Sequence, residues 1–527
     1  MSFRFLLLLS LIISFPSTKA QPQPVDFPVE LESGTITGFP AMHSFCWAQS
    51  QGKWLIMSGR TNGLHGFQPP SAFPTANQNQ NIYVVNPVNG SVSSVSVSSL
   101  PVGISEQISS SNLEFHQDVD RLVLIGGYGF SASSNVYKTF PSLISIDVPG
   151  LIQAIETNQP IASFFTQIVD ARMAVTGGYL GHIGTTYFLT YGQRFDGRYN
   201  PFNGGSYTQT YTDEIRFFTL TGSGSNLAIA DYDAWWDQEH FHRRDYNLVP
   251  HIFPNGIMGF TAFTGVFQRN VNLPHRSSVH FTSTEYVVDS TFQQLLNQYH
   301  TAYLPMHSAQ DSTMQTLFFG GIGEYYIHTN GQLVHDTLVP FTKTISMVTN
   351  APNGISEGWL PVQMSQFAGA SAAFIPDLTA PYDVNLILQM DLLPAGRVHV
   401  GAIVGGIVSD SPNTFMQSSG ITQASNQIID VYINTDVLKA HAAKSKALPR
   451  IYSDYSGVQV IVDAPTGTTF NIQLLDVQGR LVFEQTSKNE FGKFSIPNSA
   501  INSYDGILIC RVTGNGLIHS QKLVIQH

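Results

Sequence analysis

Charged residues and cysteines are scarce in this chain, and both shortages limit the class of protein it belongs to. Asp, Glu, Lys and Arg make up 12% of the 527 residues, and the formal net charge is −11. So few basic residues leave no positive stripe for a phosphate backbone, and we expect no nucleic-acid partner. The two cysteines, Cys46 and Cys510, fall in different predicted domains, so no disulfide framework is expected.

Apolar runs of membrane-spanning length are also missing. The longest run covers residues 5–15, follows the basic Arg4, and leads into small residues that end at Ala20. A run of this length with a basic start is typical of a cleaved export signal. We therefore predict a signal peptide over residues 1–20 and a mature chain without a membrane span, secreted or displayed on the cell surface.

The sequence motifs of several large enzyme classes are absent as well. The chain has no Gly-x-Ser-x-Gly nucleophile elbow, no His-Glu-x-x-His zinc pair and no phosphate-binding loop. These absences favour a protein without catalytic activity, and no cofactor is expected. They leave open an enzyme whose catalytic residues lie apart in sequence.

The chain does contain an internal repeat. An apolar run that closes on glycine recurs at a mean spacing of about 70 residues. A hairpin precedes each run, and a third strand and a polar fourth strand follow most of them. The six runs end at Gly59, Gly127, Gly192, Gly265, Gly321 and Gly406. Four strands in each of six units predict an all-β propeller over residues 21–438.

The glycine-ended runs resemble the kelch family, in which a Gly-Gly pair ends the second strand of each blade. The pair is complete at 126–127, 320–321 and 405–406. The resemblance implies a six-bladed kelch-like β-propeller. Residues 28–33 read as a fourth strand without its own unit, and we expect them to pair with residues 428–433 and close the ring. Two facing β-sheets are the alternative fold.

A basic linker over residues 439–450 separates this region from a small domain at 451–527, for which the alternation of apolar residues predicts a β-sandwich. Its turn Asp476-Val477-Gln478-Gly479-Arg480, the segment 504–512 and the final strand around Lys522 resemble the C-terminal sorting domain of the Bacteroidetes type IX secretion system. The resemblance implies that residues 451–527 are recognised by the type IX machinery and that the protein crosses the periplasm and the outer membrane.

Polar and aromatic side chains crowd the loops after the first and third glycine ends. Aromatic faces flanked by Arg, Asp and His suit a sugar, whose C–H faces stack on rings while its hydroxyls accept and donate hydrogen bonds. The aromatic residues include Phe67, Phe195 and Tyr199. The predicted ligand-binding residues are Arg60, His65, Arg194, Asp196 and Arg198.

Two further groups of residues could carry chemistry. Four histidines lie shortly before the turns that lead into glycine-ended strands, and their convergence would allow a metal site. They are His116, His182, His251 and His307. The stretch 231–246 is the densest in charged and aromatic residues, with Glu239, His240 and His242 as candidate ligands; the alternative is a long connection packed by Trp235 and Trp236.

The leading functional prediction is an exported propeller that binds an extracellular glycan or protein. An extracellular carbohydrate-active enzyme on the same fold is the first alternative. A structural surface protein without a small-molecule site is the second.

Overall fold

The computed structural model describes residues 21–202, 205–352, 354–412, 421–437, 450–454, 457–461, 469–488, 493–501, 504–514 and 517–525. The protein is all-β, with many small sheets. The predicted signal peptide and all but the last residue of the predicted linker lie outside the described residues. Within the described part, no helix combines the length and the apolar character needed to cross a bilayer.

The chain divides into two compact units. The larger contains the described residues up to Pro394 together with Val398–Ile433, and the smaller contains Ala395–Arg397 and the described residues from Asn434 onward. Cys46 of the larger unit and Cys510 of the smaller are both buried and free.

Six sheets of the larger unit each contain four strands that are hydrogen-bonded in sequence, and we number them in chain order. Sheets 1 to 3 are built from Cys46–Ser50, Lys53–Met57, Asn81–Asn86 and Ser91–Ser96; from Ser111–Asp118, Arg121–Ser131, Ser142–Asp147 and Phe165–Val169; and from Tyr179–Ile183, Thr186–Thr190, Glu214–Thr221 and Ala228–Trp236. Sheets 4 to 6 are built from Asn247–Ile252, Met258–Phe263, Ser278–Phe281 and Tyr286–Asp289; from Tyr303–Ser308, Thr313–Phe319, Ile345–Ala351 and Gly354–Trp359; and from Ala373–Pro376, Arg397–Val404, Gln427–Asn434 and Val29–Thr35.

The second strand of each sheet is the glycine-ended apolar run of the sequence. In Lys53–Met57, for example, every residue after Lys53 is buried. A strand covered on both faces has no reason to alternate polar and apolar residues, which is why these segments read as continuous apolar runs. The predicted four-strand units are therefore present, and their second strands end two to four residues from the glycines named in the sequence.

Sheet 6 is completed by the N-terminal segment of the chain. Val29–Thr35 pairs antiparallel with Gln427–Asn434, from Val29 opposite Ile433 to Thr35 opposite Gln427. The predicted pairing of residues 28–33 with 428–433 is confirmed. Further upstream, Gln23–Pro24 pairs in parallel with the outer strand of sheet 5.

The glycines that end the second strands have a common geometric role. All six have a positive φ, between +76° and +95°, which favours glycine over residues with a side chain. At five of them the N–H donates to a carbonyl just ahead of the next sheet, as from Gly59 to Ser110 at 2.9 Å and from Gly406 to Met42 at 2.9 Å. The repeat in the sequence thus records a close backbone approach between successive sheets.

A second set of backbone contacts links the starts of the six sheets. We call these six residues, one from each sheet and all with φ between +44° and +70°, the collar: Ser44, Asn112, Gly177, Asp245, His300 and Ser371. Backbone N–H groups donate from Ser44 to Ser371, Asn112 to Ser44, Gly177 to Asn112, Asp245 to Gly177 and Ser371 to His300, at 2.7–3.3 Å. Between Asp245 and His300 the side chains meet instead, with Oδ1 and Nδ1 3.5 Å apart. The contacts therefore connect the sheets in a cyclic order.

The hydrophobic cores lie between successive sheets. One core joins buried residues of sheets 1 and 2, such as Leu55 and Leu124, and further cores join sheets 2 and 3, 3 and 4, and 4 and 5. Another core joins sheet 6 to sheet 1 through residues such as Val404 and Ile56. Sheets 5 and 6 meet where Phe319 stacks on Phe374, with ring centroids 6.2 Å apart.

Shorter elements fill the connections. The helices are Val102–Ile108 and Val148–Glu156, and the second is capped by Asp147, whose side chain accepts from the N–H of Gly150. The 3₁₀ turns are Thr75–Asn77, Val97–Ser99, Ala162–Phe164, Ala171–Met173, Gly224–Asn226, Met390–Leu392 and, in the smaller unit, Asn498–Ala500. The other strands of the larger unit are Gln23–Pro24, Val136–Thr139, Gln193–Gly197, Tyr207–Tyr211, Tyr325–Ile327, Leu333–His335, Phe367–Ala370, Leu388–Gln389, Ile407–Ser409 and Thr422–Ala424.

The smaller unit has a three-stranded and a four-stranded sheet. They consist of Arg450–Asp454, Gly457–Ile461 and Lys493–Pro497, and of Leu481–Lys488, Thr469–Asp476, Gly506–Gly514 and Leu517–Ile525. Both contribute to one core, which includes Val460 and Ile496 from the first sheet and Leu474 and Val512 from the second. The region is therefore built of strands, as the alternation of apolar residues predicts.

Candidate functional site

The larger unit contains a cavity of about 560 Å³, open to solvent, which we call the main cavity. Its volume falls within the range typical of small-ligand sites. It is lined by all six collar residues with His43 and Arg244, and by the loops that follow the glycine ends of sheets 1 and 3. The glycine-ended turns carry these loops to the same end of the sheets, so residues distant in sequence share one cavity.

One wall of the main cavity is aromatic. His65 stacks on Phe73 with ring centroids 4.3 Å apart and meets Tyr199 edge-on at 5.1 Å. Phe67 contacts Phe202, with centroids 5.8 Å apart, and Phe202 is 70% exposed. The wall therefore presents ring faces and edges to the cavity and continues outward to the surface.

Two loops from different sheets form this wall. The loop after Gly59 supplies residues 60–73, and the hairpin of Gln193–Gly197 and Tyr207–Tyr211 supplies Tyr199 and Phe202. The Arg198 guanidinium crosses between them and donates to the carbonyl of Pro70 at 3.1 Å. Because the two loops are joined in this way, the wall is a built part of the fold.

Polar side chains of the collar and Arg244 also line the cavity. Asp245 Oδ1 accepts from Asn112 Nδ2 at 3.3 Å and lies 3.5 Å from His300 Nδ1, while Arg244 Nε lies 3.4 Å from Asp245 Oδ2. Arg244 also donates to the Tyr211 hydroxyl. The side chains of Arg244, Asp245 and His300 keep 20%, 21% and 23% of their exposure, so a ligand in the cavity can reach them.

The charge of Asp245 is maintained by its neighbours. Burial alone would raise its pKa, but the hydrogen bond from His300 and the charges of His300 and Arg244 hold the pKa below its ordinary value. Asp245 is therefore a carboxylate that orients both His300 and Arg244.

Basic groups at the edge of the wall are deeply buried. Arg60 is 3% exposed and donates from Nε to Asn62 at 3.1 Å and from Nη2 to the carbonyl of Pro74 at 2.8 Å. Burial lowers its pKa to about 10. His43 is also buried; burial, followed by the charge of Arg60, lowers its pKa to about 3, and its Nε2 atom has no hydrogen-bond partner in the described part of the chain.

The five residues predicted to bind a ligand occupy two positions. Arg60 and His65 line the main cavity. Arg194, Asp196 and Arg198 are in or beside the neighbouring hairpin but are not among the lining residues. Arg194 pairs with Asp196 at 2.7 Å, and Arg198 lies over the Tyr137 ring at 5.3 Å, so these three side chains support the hairpin.

The four candidate metal ligands do not converge on one point. His116 and His182 are neighbours, with ring centroids 5.5 Å apart, whereas His251 bonds to Thr261 and Asn350 and His307 approaches Gln389. Burial lowers the pKa of His116 to about 3. Among the residues that the structure describes, no three His, Cys, Asp or Glu side chains group as a metal site.

The stretch 231–246 is divided between a strand and a loop. Its first part is the outer strand of sheet 3, where Trp235 packs into the core but Trp236 is 61% exposed, so the expectation that both tryptophans pack was wrong for Trp236. His240 bonds to Asp237 at 2.9 Å and His242 to Asp213 at 2.9 Å. Glu239 donates its N–H to Asp237 at 3.0 Å.

Sequence reasoning missed His300 and Asn112 as site residues and did not single out Arg244 or Asp245 within the stretch 231–246. A usable signal was present, because the same spacing separates Gly59 from Ser44, Gly127 from Asn112 and Gly192 from Gly177. In sheets 4 to 6 longer hairpins and insertions alter this spacing, which hides Asp245 and His300.

A second cavity of about 210 Å³ also reaches the collar, since Ser44, His300 and Ser371 line both cavities. Its other lining residues are largely apolar and aromatic and include Trp47 and Phe115. His116 and His182 lie at this second cavity and not at the main one.

No family model matches the sequence, and no curated protein matches it. Among the solved structures similar to the chain is one titled "Structure of YjhT", with 11% sequence identity, a TM-score of 0.37, and coverage of 60% of this chain and 84% of that one.

Proposed function

We propose that the larger unit is a six-bladed kelch-like β-propeller. Six four-stranded sheets, five backbone contacts and one side-chain contact that join the six collar residues in cyclic order, and a sixth sheet completed by the N-terminal strand all support this architecture. The smaller unit, with two sheets over one core, is proposed to be a β-sandwich.

We propose that the protein is exported by the type IX secretion system, with residues 451–527 as the sorting domain. The support is the motif series of the sequence. In the structure Asp476 accepts from the N–H groups of Gln478 and Arg480 at 2.9 Å each, and Gly479 has a φ of +81°, as the tight turn of that motif requires. A chain truncated after Arg450 and expressed in a Bacteroidetes host should remain inside the cell, while the full chain reaches the medium or the surface. Equal export of both chains would remove the proposal.

We propose that the exported protein binds an extracellular glycan in the main cavity. The observation that carries this is the pairing of an aromatic wall with a polar side formed by Arg244, Asp245, His300 and Asn112. Rings stack on the C–H faces of a sugar, and fixed carboxylate, amide and guanidinium groups bond to its hydroxyls. A protein ligand would instead be expected to cover a wider surface than the mouth of one cavity.

The test is a glycan-array screen of the purified protein. Tyr199→Ala, which removes a ring from the wall, should weaken binding of the glycans found by about tenfold or more. Trp236→Ala is the matched control, because it removes an exposed ring that does not line the cavity. Failure to bind any glycan, or equal loss in both variants, would exclude the cavity as a glycan site.

Catalysis on the bound glycan is the second candidate function. The favouring observation is the contact of His300 with Asp245, since a carboxylate that orients a histidine is a common general-base arrangement. If the protein is an enzyme, incubation with an array ligand should release new reducing ends, and His300→Gln should abolish release while binding persists. An unchanged ligand after prolonged incubation would leave binding as the function.

A further inference from the structure

The main cavity is lined by more positive than negative side chains, whereas the whole chain is acidic. The chain has a net charge of −11, yet the charged side chains that line the cavity are the positive Arg60 and Arg244 and the negative Asp245. The cavity therefore carries a net positive charge inside an acidic protein, before any contribution from its histidines. Such a local field attracts ligands of the opposite sign.

Asp245 balances the charge of only one of the two cavity arginines, Arg244. It lies 3.4 Å from Arg244 and is also held by Asn112 and His300. Arg60, in contrast, is bound by the Asn62 amide oxygen and the Pro74 carbonyl, which are neutral acceptors, and it lies over the Phe73 ring at 5.4 Å. Within the described ranges no carboxylate lies within ion-pairing distance of its guanidinium. The charge of Arg60 is thus buried without a counterion. Such burial is unfavourable unless a bound anion acts as the counterion.

Two histidines add hydrogen-bonding capacity beside Arg60. The Nδ1 atom of His65 donates to the carbonyl of Gly66 at 3.1 Å, and its ring forms part of the aromatic wall. Burial, with the charges of Arg244 and Arg60, lowers the pKa of His65, and both arginines line the same cavity as His65. His43, buried beside Arg60, leaves its Nε2 atom unpartnered.

We infer that the main cavity selects an acidic saccharide, with a carboxylate or sulfate group seated between Arg60 and Arg244 and the sugar ring against the aromatic wall. This inference rests on the proposed glycan-binding function and adds the class of ligand. A guanidinium forms charge-assisted hydrogen bonds with a planar carboxylate or a sulfate, and the net charge of the complex becomes balanced.

The experiment compares matched sets of neutral, carboxylated and sulfated glycans on one array. The expected result is binding within the acidic sets at least about tenfold tighter than to the neutral counterparts, because a hydrogen bond between charged partners exceeds a neutral one. The set that binds distinguishes carboxylate from sulfate. Equal or tighter binding of the neutral glycans would overturn the inference and leave the proposed function standing. No binding in any set would overturn both.

Variants then locate the anionic group. Arg244→Gln should weaken binding of the acidic ligand by about tenfold or more, and should weaken binding of its neutral counterpart much less. Arg172→Gln is the matched control, because Arg172 pairs with Asp170 on the surface and does not line the cavity. Equal affinity of Arg244→Gln and the unmodified protein for the acidic ligand would contradict the inference.

A measurement on the unmodified protein does not depend on how the variants fold. Affinity for the acidic ligand should fall as sodium chloride is raised from about 0.02 M to about 0.5 M, since screening weakens charge–charge attraction. Affinity for the neutral counterpart should stay nearly constant. The same salt dependence for both ligands would contradict a charged contact.

Discussion

Arg243 shows how a charged residue can serve the core of this fold. Its side chain is fully buried and donates to three carbonyls, those of His240, Thr264 and Ser277, at 2.8–3.3 Å. The guanidinium thereby holds the loop between sheets 3 and 4 against sheet 4. Arg244, the next residue, turns toward the main cavity, so the two adjacent arginines have different roles.

Arg243→Ala should lower the free energy of unfolding by about 3 kcal/mol, because it leaves a cavity and buried carbonyls without donors. Urea denaturation followed by tryptophan fluorescence measures the change. Arg172→Ala, which removes a surface arginine paired with Asp170, should cost less than about 1 kcal/mol. A similarly small loss of unfolding free energy in both variants would mean that other groups donate hydrogen bonds to these carbonyls.

His399 predicts a dependence of stability on pH. It lies in the second strand of sheet 6, with Nδ1 2.7 Å from Asp377 and Nε2 3.2 Å from Asp430, and its ring approaches Tyr432. The hydrogen bond with Asp430, and then that with Asp377, raises the pKa of His399 above its ordinary value although burial opposes the shift. The protonated form is therefore favoured by folding. Its stabilising effect is complete below the unfolded-state pKa and is lost as pH rises through the folded-state pKa.

His399→Gln should accordingly lose more stability relative to the unmodified protein at about pH 5.5 than at about pH 8.5. Thermal unfolding of both proteins across this range gives the difference at each pH. A difference that grows with pH would reverse the assigned sign.

At the scale of strands and turns, the glycine ends explain why the repeat is visible in the sequence. A Cβ on Gly126 would lie 1.9 Å from the carbonyl oxygen of Val175, the residue that Gly127 contacts ahead of the next sheet. The position thus excludes any side chain, and the same clash occurs at Gly320 and Gly405, where an added Cβ would lie 2.2 Å and 2.6 Å from a carbonyl oxygen. Sheets 1, 3 and 4 instead have Ser58, Tyr191 and Thr264 at the equivalent position. The four-strand units could be predicted because each combines a final glycine of positive φ with a continuous apolar strand.

Gly126→Ala should destabilise the protein by about 3 kcal/mol or more, since backbone strain adds to the clash with Val175. Gly184→Ala is a matched control, because Gly184 has the same φ of +64° and no atom within 4 Å of an added Cβ. Gly184→Ala should lower the free energy of unfolding by about 1 kcal/mol, because only the backbone strain applies there. Circular dichroism melts of the two variants separate the contributions, and equal losses would show that packing against sheet 3 is not the constraint.

At the scale of the whole molecule, the site was harder to predict than the sheets. The strands follow local patterns, whereas the cavity joins residues that meet only through the order of the sheets. Arg60 and His65 were accessible to prediction because they follow a recognisable glycine end. Asp245 and His300 belong to different sheets with irregular spacing, and their contact depends on the collar. The hairpin residues Arg194 and Asp196 looked similar in sequence but pair with each other.

The pairing of the N-terminal strand with sheet 6 makes stability of the larger unit depend on both ends of its chain. Val29–Thr35 supplies the fourth strand of sheet 6, whereas Gln23–Pro24 adds only two residues beside sheet 5. A chain that begins at residue 36 leaves Gln427–Asn434 as an unpaired edge, which invites aggregation and loses a full strand of hydrogen bonds. We expect it to unfold at lower urea concentration and to be cleaved by protease near residues 427–434, while a chain that begins at residue 28 retains near-normal stability. If both chains unfold alike, the N-terminal strand does not stabilise sheet 6, and the cyclic arrangement must be maintained by the collar and the inter-sheet cores alone.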